Sequence, residues 1–377
     1  MRVIVLGDLQ AGCGIKRYPE TDKDGTNLRL LDTIKELDRI RLLCVKRKVE
    51  AVCILGDIFE ARNTLDTAVL NQVYRAFHAY VDAGLRLILL VGNHDRCDVG
   101  REHSLEVFKP FCCVVDTPRS LSLCDGSLVA VPFHPDPRAV VKAIKQHVTP
   151  TTRLLLLHTA IQDVQLPSGK LWREGITLGD IPEHVMCLMG HYHRWREVRQ
   201  GNVYYVGSLL QVDRGDMGIE KYFAVYNSEK HSVQFPPTQG PKFVNVNVSF
   251  MPGQSFNAGE YSEAEFAGTY RTAVAGNFVT VSTIPPDWTD LGAIERALQG
   301  LGARHVEFAM QTQTTIVPPQ RLTHQAEIPA AQEVISQYVE ASETPLDKAT
   351  LVEQAMEVVV EVLQEEPHDD EIIVEVN

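Results

Sequence analysis

Short unbroken apolar runs recur along the first half of the chain, separated by longer stretches whose apolar positions return every three or four residues. "VIVL" (3–6), "AVCIL" (51–55), "RLILLV" (86–91), "LVAVP" (128–132), "RLLLL" (153–157) and "VMCLM" (185–189) read as buried strands. Between them, 28–45 sets Leu28, Leu31, Ile34, Leu37, Ile40 and Leu43 at helical spacing, and 64–82 places Val69, Val73, Phe77 and Tyr80 along one side of a second helix. Such alternation predicts an α/β arrangement, a layered sheet with helices on its faces. From Arg194 the pattern changes: "WREVRQGNVYYVGS" reads as a hairpin turning at Gln-Gly-Asn, and "KYFAVYN" as a further strand.

"FVNVNVSF" (243–250) is expected to close the first domain, and the turn-rich "MPGQSFNAGEYS" after it to be a linker. A smaller β-α-β unit follows, from "FVTVS" (278–282), a short helix over 289–299, and "HVEFAM" (305–310) with Val306, Phe308 and Met310 on one face. Two helices end the chain. One covers 331–340; the other starts at "TPLDK", where Thr344 can cap, Pro345 suits the first helical position and Asp347 the positive helix end. Val352, Met356, Val359 and Leu363 share a face of it. The division expected is 1–250, 251–330 and 331–377, the last ending in an acidic tail.

With 377 residues the chain can bury more than one core. A net charge of −13 argues against a surface that binds DNA indiscriminately, but nine acidic residues and no Lys or Arg lie after residue 350, so much of the excess sits in the tail. "KRK" (46–48) reads as the solvated end of a helix, with DNA contact as the minor alternative. Eight scattered cysteines without a C-x-x-C pair predict a reducing compartment, with Cys112 and Cys113 pointing apart in a strand. No signal peptide and no membrane-spanning run are legible, so the expectation is cytoplasmic.

Five short pieces carry chemistry: "GDLQ" (7–10), "GDIF" (56–59), "GNHD" (92–95), "LLLLHT" (154–159) and "GHYH" (190–193). Each places a polar side chain just past an apolar run, where loops at the carboxyl ends of strands converge on one crevice. Asp8, Asp57, Asn93, His158, His191 and His193 can therefore meet in space. Carboxylate, amide oxygen and imidazole together suit divalent Mn, Fe or Zn. Two such ions roughly 3.5–4 Å apart can activate a water and stabilise in-line displacement at phosphorus. Singly, each piece has a bland reading as a turn or a core histidine; all five in this order do not. The other histidines, His103 among them, lack ligand-like neighbours, and Trp172, Trp195 and Trp288 read as isolated packing aromatics.

The five pieces resemble the signature of the calcineurin-like metallophosphoesterases. With "YYVGSLLQVDRGD" (204–216), the small β-α-β unit and the terminal helices, most of the chain resembles the SbcD-type nuclease subunit of a double-strand-break repair complex, in a phage-like version. The resemblance implies a layered β-sandwich flanked by helices, a small α+β capping domain, and C-terminal helices that dock on a coiled-coil SMC-like (SbcC-type) ATPase. It implies DNA as substrate, a homodimer, and two divalent ions, Mn foremost and Mg as the alternative. Asp8 and His193 would bind one ion, with Gln10 where the family has a histidine. Asp57 would bridge, and Asn93, His158 and His191 would bind the second ion. His94 would stabilise charge or protonate the leaving 3′ oxygen, with Asp95 orienting it. Two other functions stay open: a phosphatase or small-molecule phosphodiesterase of the same fold, and a scaffold with a degenerate site, which Gln10 favours and His94 disfavours.

Overall fold

A computed structural model describes residues 2–12, 21–97, 102–123, 126–165, 169, 171–256, 259–285 and 288–309, and six positions beyond them. In chain order the elements are β1 (Arg2–Leu6), α1 (Leu28–Arg47), β2 (Ala51–Ile54), α2 (Thr67–Asp82), β3 (Arg86–Leu90), β4 (Cys113–Val115), β5 (Arg119–Leu123), β6 (Gly126–Val131), α3 (Pro137–His147), β7 (Thr152–His158), β8 (Met186–Gly190), β9 (Arg196–Arg199) and β10 (Val203–Tyr205). Then come β11 (Ala224–Asn227), β12 (Ser232–Gln234), β13 (Phe243–Asn247), β14 (Ser255–Phe256), β15 (Gly259–Glu260), α4 (Glu263–Val274), β16 (Phe278–Thr283), α5 (Leu291–Gly300) and β17 (His305–Phe308).

The strands build two six-stranded sheets, ordered β12-β11-β1-β2-β3-β4 and β5-β6-β7-β8-β10-β9. Val3, Val5, Cys53, Ile88 and Leu90 of the first face Leu128, Leu154, Leu156 and Leu188 of the second in one core. The alternate residues Ile4, Leu6, Val52, Ile54, Leu87 and Leu89 face α1 and α2, while Val129, Leu155, Leu157 and Met189 face α3. Burial on both faces explains why these strands read as unbroken apolar runs. Each such side chain contributes on the order of 1.5–3 kcal/mol. Cys112, just before β4, packs with the α1–α2 layer, and Cys113, the first residue of β4, packs against the core between the sheets.

Within each sheet the run β1-β2-β3-β4 and the run β6-β7-β8 are parallel. Their carboxyl ends therefore gather on one edge. Asn27 caps α1 by accepting from Arg29 N and Leu30 N, and Asp66 caps α2. "KRK" is the exposed end of α1, closed by Lys48 in the left-handed region (φ 51°).

One boundary departs from expectation. β13 does not close the sandwich; it pairs in parallel with β16, which pairs with β17, so 243–247 belongs to the small sheet. The supposed linker leads into α4, whose Phe266, Tyr270 and Val274 pack with Val246, Val281, Ile294 and Leu298. The small unit sits against α1. Arg304 is ion-paired with the buried Asp32, and the Arg29 guanidinium lies 5.5 and 5.3 Å from the rings of Phe243 and Phe278. This explains why α1 buries Asp32, Thr33 and Glu36 as well as Leu37 and Ile40. Residues 311–377 form a separate unit. Positions 336, 339, 348, 349, 351 and 352 are helical, and the rest of the two expected terminal helices lies outside the described residues. Among the described residues no helix is long and apolar enough to cross a membrane.

Candidate active site and metal centre

The gathered strand ends carry all five signature pieces. The loops after β1 and β2 run side by side: Gln10 N donates to Asp57 O (2.9 Å) and Ala11 N to Ile58 O (2.8 Å). Backbone conformation is forced here. Gln10 (φ 46°), Asp57 (φ 48°) and His191 (φ 87°) are three of the six non-glycine residues with positive φ among those described. Strain collected at one place marks a functional site. Gly92 is required by proximity, since a Cβ there would fall 2.3 Å from both Asp57 N and Asp57 Oδ1.

Two donor groups share Asp57. Asp57, His158 and His191 have ligand atoms within 4.8 Å of one another, and so do Asp8, Asp57 and His193. Asp57 Oδ1 lies 3.4 Å from His158 Nε2, while Oδ2 accepts from Gln10 Nε2 at 3.2 Å on the other side. Asn93 Oδ1 stands between His158 Nε2 (2.9 Å) and His191 Nδ1 (2.7 Å). Asp8 is fully buried and takes the His191 N–H on both oxygens, at 2.9 and 3.2 Å.

The protonation pattern tests whether a cation fits. His158 Nδ1 is 2.6 Å from Leu55 O, so it carries the hydrogen and donates. In the neutral ring Nε2 is then bare, yet it faces the Asn93 carbonyl oxygen and the Asp57 carboxylate. Electron-pair donors that converge in this way are reconciled by a proton or a cation. Burial works against charging His158, but the carboxylates of Asp57 and Asp8, the hydrogen bond to Leu55 O and the charge of Asp95 together outweigh it, and its pKa is raised. His191 is pushed down to about 3, first by burial and then by the charge of His158, which keeps it a neutral ligand. Hard carboxylate and amide oxygens mixed with imidazole fit divalent transition metals.

The structure brings together every residue singled out in the sequence, but two stand differently from expectation. Asp95 does not orient His94. Its buried carboxylate accepts Ile58 N (2.9 Å), Phe59 N (3.3 Å) and Gly92 N (2.9 Å), lacing the β2 and β3 loops together. Burial, then the charge of Asp57, pushes Asp95 up to about 7. His94 is held by a main-chain carbonyl instead, Nδ1 donating to Glu60 O at 2.7 Å, while its N–H donates to Asp57 Oδ1 at 2.8 Å. Gln10 is at the first group, with its amide nitrogen towards Asp57 and 3.5 Å from His193 Nε2.

Trp172, read as a packing aromatic, and Phe133, not singled out in the sequence, both stand at the site. Trp172 stacks on His191, ring centroids 5.0 Å apart at 30°, and Phe133 closes against His158 and His191 at 6.1 and 6.0 Å. No spacing signal marks either, because the strap that carries Trp172 lies between two signature pieces. His103 Nε2 lies 3.0 Å from Glu106 Oε1 and 3.6 Å from Asp116 Oδ2. The Lys109 ammonium already bridges both carboxylates at 2.7 Å, so that cluster is a surface ion-pair network.

The parallel strand ends of this sandwich bring Asp, Asp, Asn-His, His and His-x-His together in two candidate metal-binding groups that share Asp57, a donor set that fits a metal-dependent phosphoesterase. Residues 1–213 match the family described as calcineurin-like phosphoesterase, and the chain belongs to it. No curated protein matches the chain. A solved structure, described as a hypothetical protein from Thermus thermophilus, aligns over 63% of this chain and 100% of its own at 13% identity, with a TM-score of 0.38.

Proposed function

We propose that the chain hydrolyses phosphodiester bonds of DNA with two divalent ions, Mn foremost, as the nuclease subunit of a complex with a coiled-coil ATPase. The observation that carries the hydrolytic reading is Asp57, which belongs to both donor groups, with Oδ1 beside His158 Nε2 and Oδ2 beside Gln10. Two bound ions would supply Lewis-acid polarisation of a phosphoryl oxygen and a nucleophilic water at neutral pH. The chain's own residues do the rest. Asp8, His193 and Gln10 would hold one ion, Asn93, His158 and His191 the other, and Asp57 both. With His94 Nδ1–H given to Glu60 O, Nε2 is the one ring atom left to hold a proton for the leaving oxygen. Phe133 and Trp172 keep water from one side of the imidazole pair, which strengthens the local electrostatics.

The choice of DNA is supported by the small α/β unit seated on α1, for which a monoesterase has no evident need, and by the likeness of 204–216 to nuclease subunits. The partner reading rests on the sequence spacing of Val352, Met356, Val359 and Leu363, which would share one side of a helix. The test is Mn-dependent cleavage of duplex and single-stranded DNA against a nucleotide monoester, with and without the ATPase. His94→Ala should cut DNA cleavage by roughly 10²–10⁴-fold with metal content unchanged. Turnover of the monoester alone would assign a phosphatase, and parent-like DNA cleavage by His94→Ala would remove its role.

A further inference from the structure

The two donor groups are held from behind by different parts of the chain. His158 and Asn93 are set by Leu55 O and by the loops that Asp95 laces together. Asp8 and His193 lean instead on the segment after β10. Leu209 N–H donates to Asp8 O (2.9 Å), and Ser208 N–H to His193 O (3.0 Å). A second residue donates to that same His193 carbonyl: Lys221, through Nζ at 2.7 Å.

Lys221 is only 4% exposed, and nothing in the hydrolytic chemistry uses it. A buried ammonium requires an anion, and Asp216, 6% exposed, supplies one at 2.8 Å. Asp216 Oδ2 also accepts Val212 N (2.9 Å), which fixes the carboxylate. A buried ion pair of this kind contributes little net stability, so its location is the informative part. It presses on the main chain of one metal ligand. Asp216 also ends a short helical turn, Arg214–Asp216, whose first residue is ion-paired with Glu307 on β17 of the small sheet. Glu307 is steadied in turn by Thr280 Oγ1 on β16 (2.8 Å).

We propose that Lys221 and Asp216 are positioning residues for the first metal site (Asp8, Asp57, His193), and that the small sheet acts on that site through Glu307 and Arg214. This rests on the two-ion reading above. The direction of the His193 imidazole follows its main chain, and the carbonyl of that main chain is pinned by a charged donor whose partner is tied to the small sheet. A shift of the small sheet therefore reaches the first metal site directly, and the second only through Asp8, whose carboxylate holds His191 N–H. Whatever moves that sheet tunes the occupancy of the first ion.

The experiment is Mn titration of the full chain, followed by calorimetry and by electron paramagnetic resonance, with Asp8→Asn identifying the first-site ion. Lys221→Met should weaken that ion by roughly 10–100-fold, as loss of a ligand's supporting contact does, and weaken the second ion far less, because His191 is reached only through Asp8. Glu307→Gln should act in the same direction and less strongly. Added to Lys221→Met it should have no further effect, because the two lie on one path. Glu307→Gln changes a partly exposed side chain of the small sheet, so it carries the test should Lys221→Met fail to fold. Equal weakening of both ions, unchanged affinity in both variants, or strictly additive effects would overturn the proposal. A parent that binds two Mn while the variants behave in one of those ways defeats this inference alone; a parent that binds fewer than two defeats the two-ion reading and this inference with it.

Discussion

Gln10 is the residue where family pattern and local chemistry part. Imidazole would offer a lone pair; the amide offers either an oxygen or a hydrogen-bond donor. Its NH₂ donates to Asp57 Oδ2 at 3.2 Å and lies 3.5 Å from His193 Nε2 of the first donor group. Half a turn about the terminal bond would present Oε1 to the same place, a neutral and weaker donor than imidazole for late transition metals. Gln10→His should therefore lower the Mn concentration needed at the first site by about tenfold, or 1.4 kcal/mol, with the rate at saturation little changed. Metal titration of Gln10→His beside Gln10→Ala measures this. If both variants bind Mn as the parent does, Gln10 is not a ligand.

At the scale of elements, α4 shows how a helix hides behind a turn-rich approach. "NAGEYS" before it reads as loop, and its apolar positions Phe266, Tyr270 and Val274 are sparse. Its start is nevertheless written in the sequence. Ser262 Oγ caps Glu265 N (3.2 Å), and the Glu265 carboxylate returns to Ser262 N (2.8 Å), a reciprocal pair. Those bonds hold Glu265 below the usual carboxylate range, the main-chain N–H of Ser262 contributing most and its hydroxyl next. Ser262→Ala should cost about 1 kcal/mol, read as a lower denaturant midpoint at unchanged m-value. Unaltered stability would mean that packing on β13 alone sets where α4 begins.

For the whole molecule, the decisive feature is the seating of the small unit on α1. Arg304 neutralises Asp32, whose side chain is 2% exposed, and Gln239 N donates to Glu36 Oε1 at 3.1 Å. Beside them lies a cleft of about 360 Å³, lined by Asp32, Lys35, Glu36, Arg39 and Arg304, where charges from both sides meet. Arg304→Ala would leave Asp32 buried and unpaired, a loss of about 3–5 kcal/mol. Asp32→Asn in the same chain should recover much of it, because the charge is then gone. Denaturant unfolding of the single and double variants checks the pair. No recovery would show that Arg304 acts through packing on Phe278, 5.9 Å away, and not through charge.

The central sandwich strands, the first two helices and the set of residues that meet at the centre are legible in the sequence, whereas the short, half-exposed edge strands β5 and β12 are not. Strands buried on both faces must be written as unbroken apolar runs, and ligands at strand ends must follow them directly. The pattern could not assign β13, because an apolar strand of five residues names no partner, and only the parallel register with β16 places it in the small sheet. Nor could it divide labour among neighbours in "GNHD". That Asp95 ties two loops while His94 leans on Glu60 O depends on distances across 34 to 37 residues of chain. Trp172 and Lys221 were invisible for the same reason. Their roles come from contacts with His191 and with the His193 carbonyl, and such contacts exist only once the strands have brought those segments together.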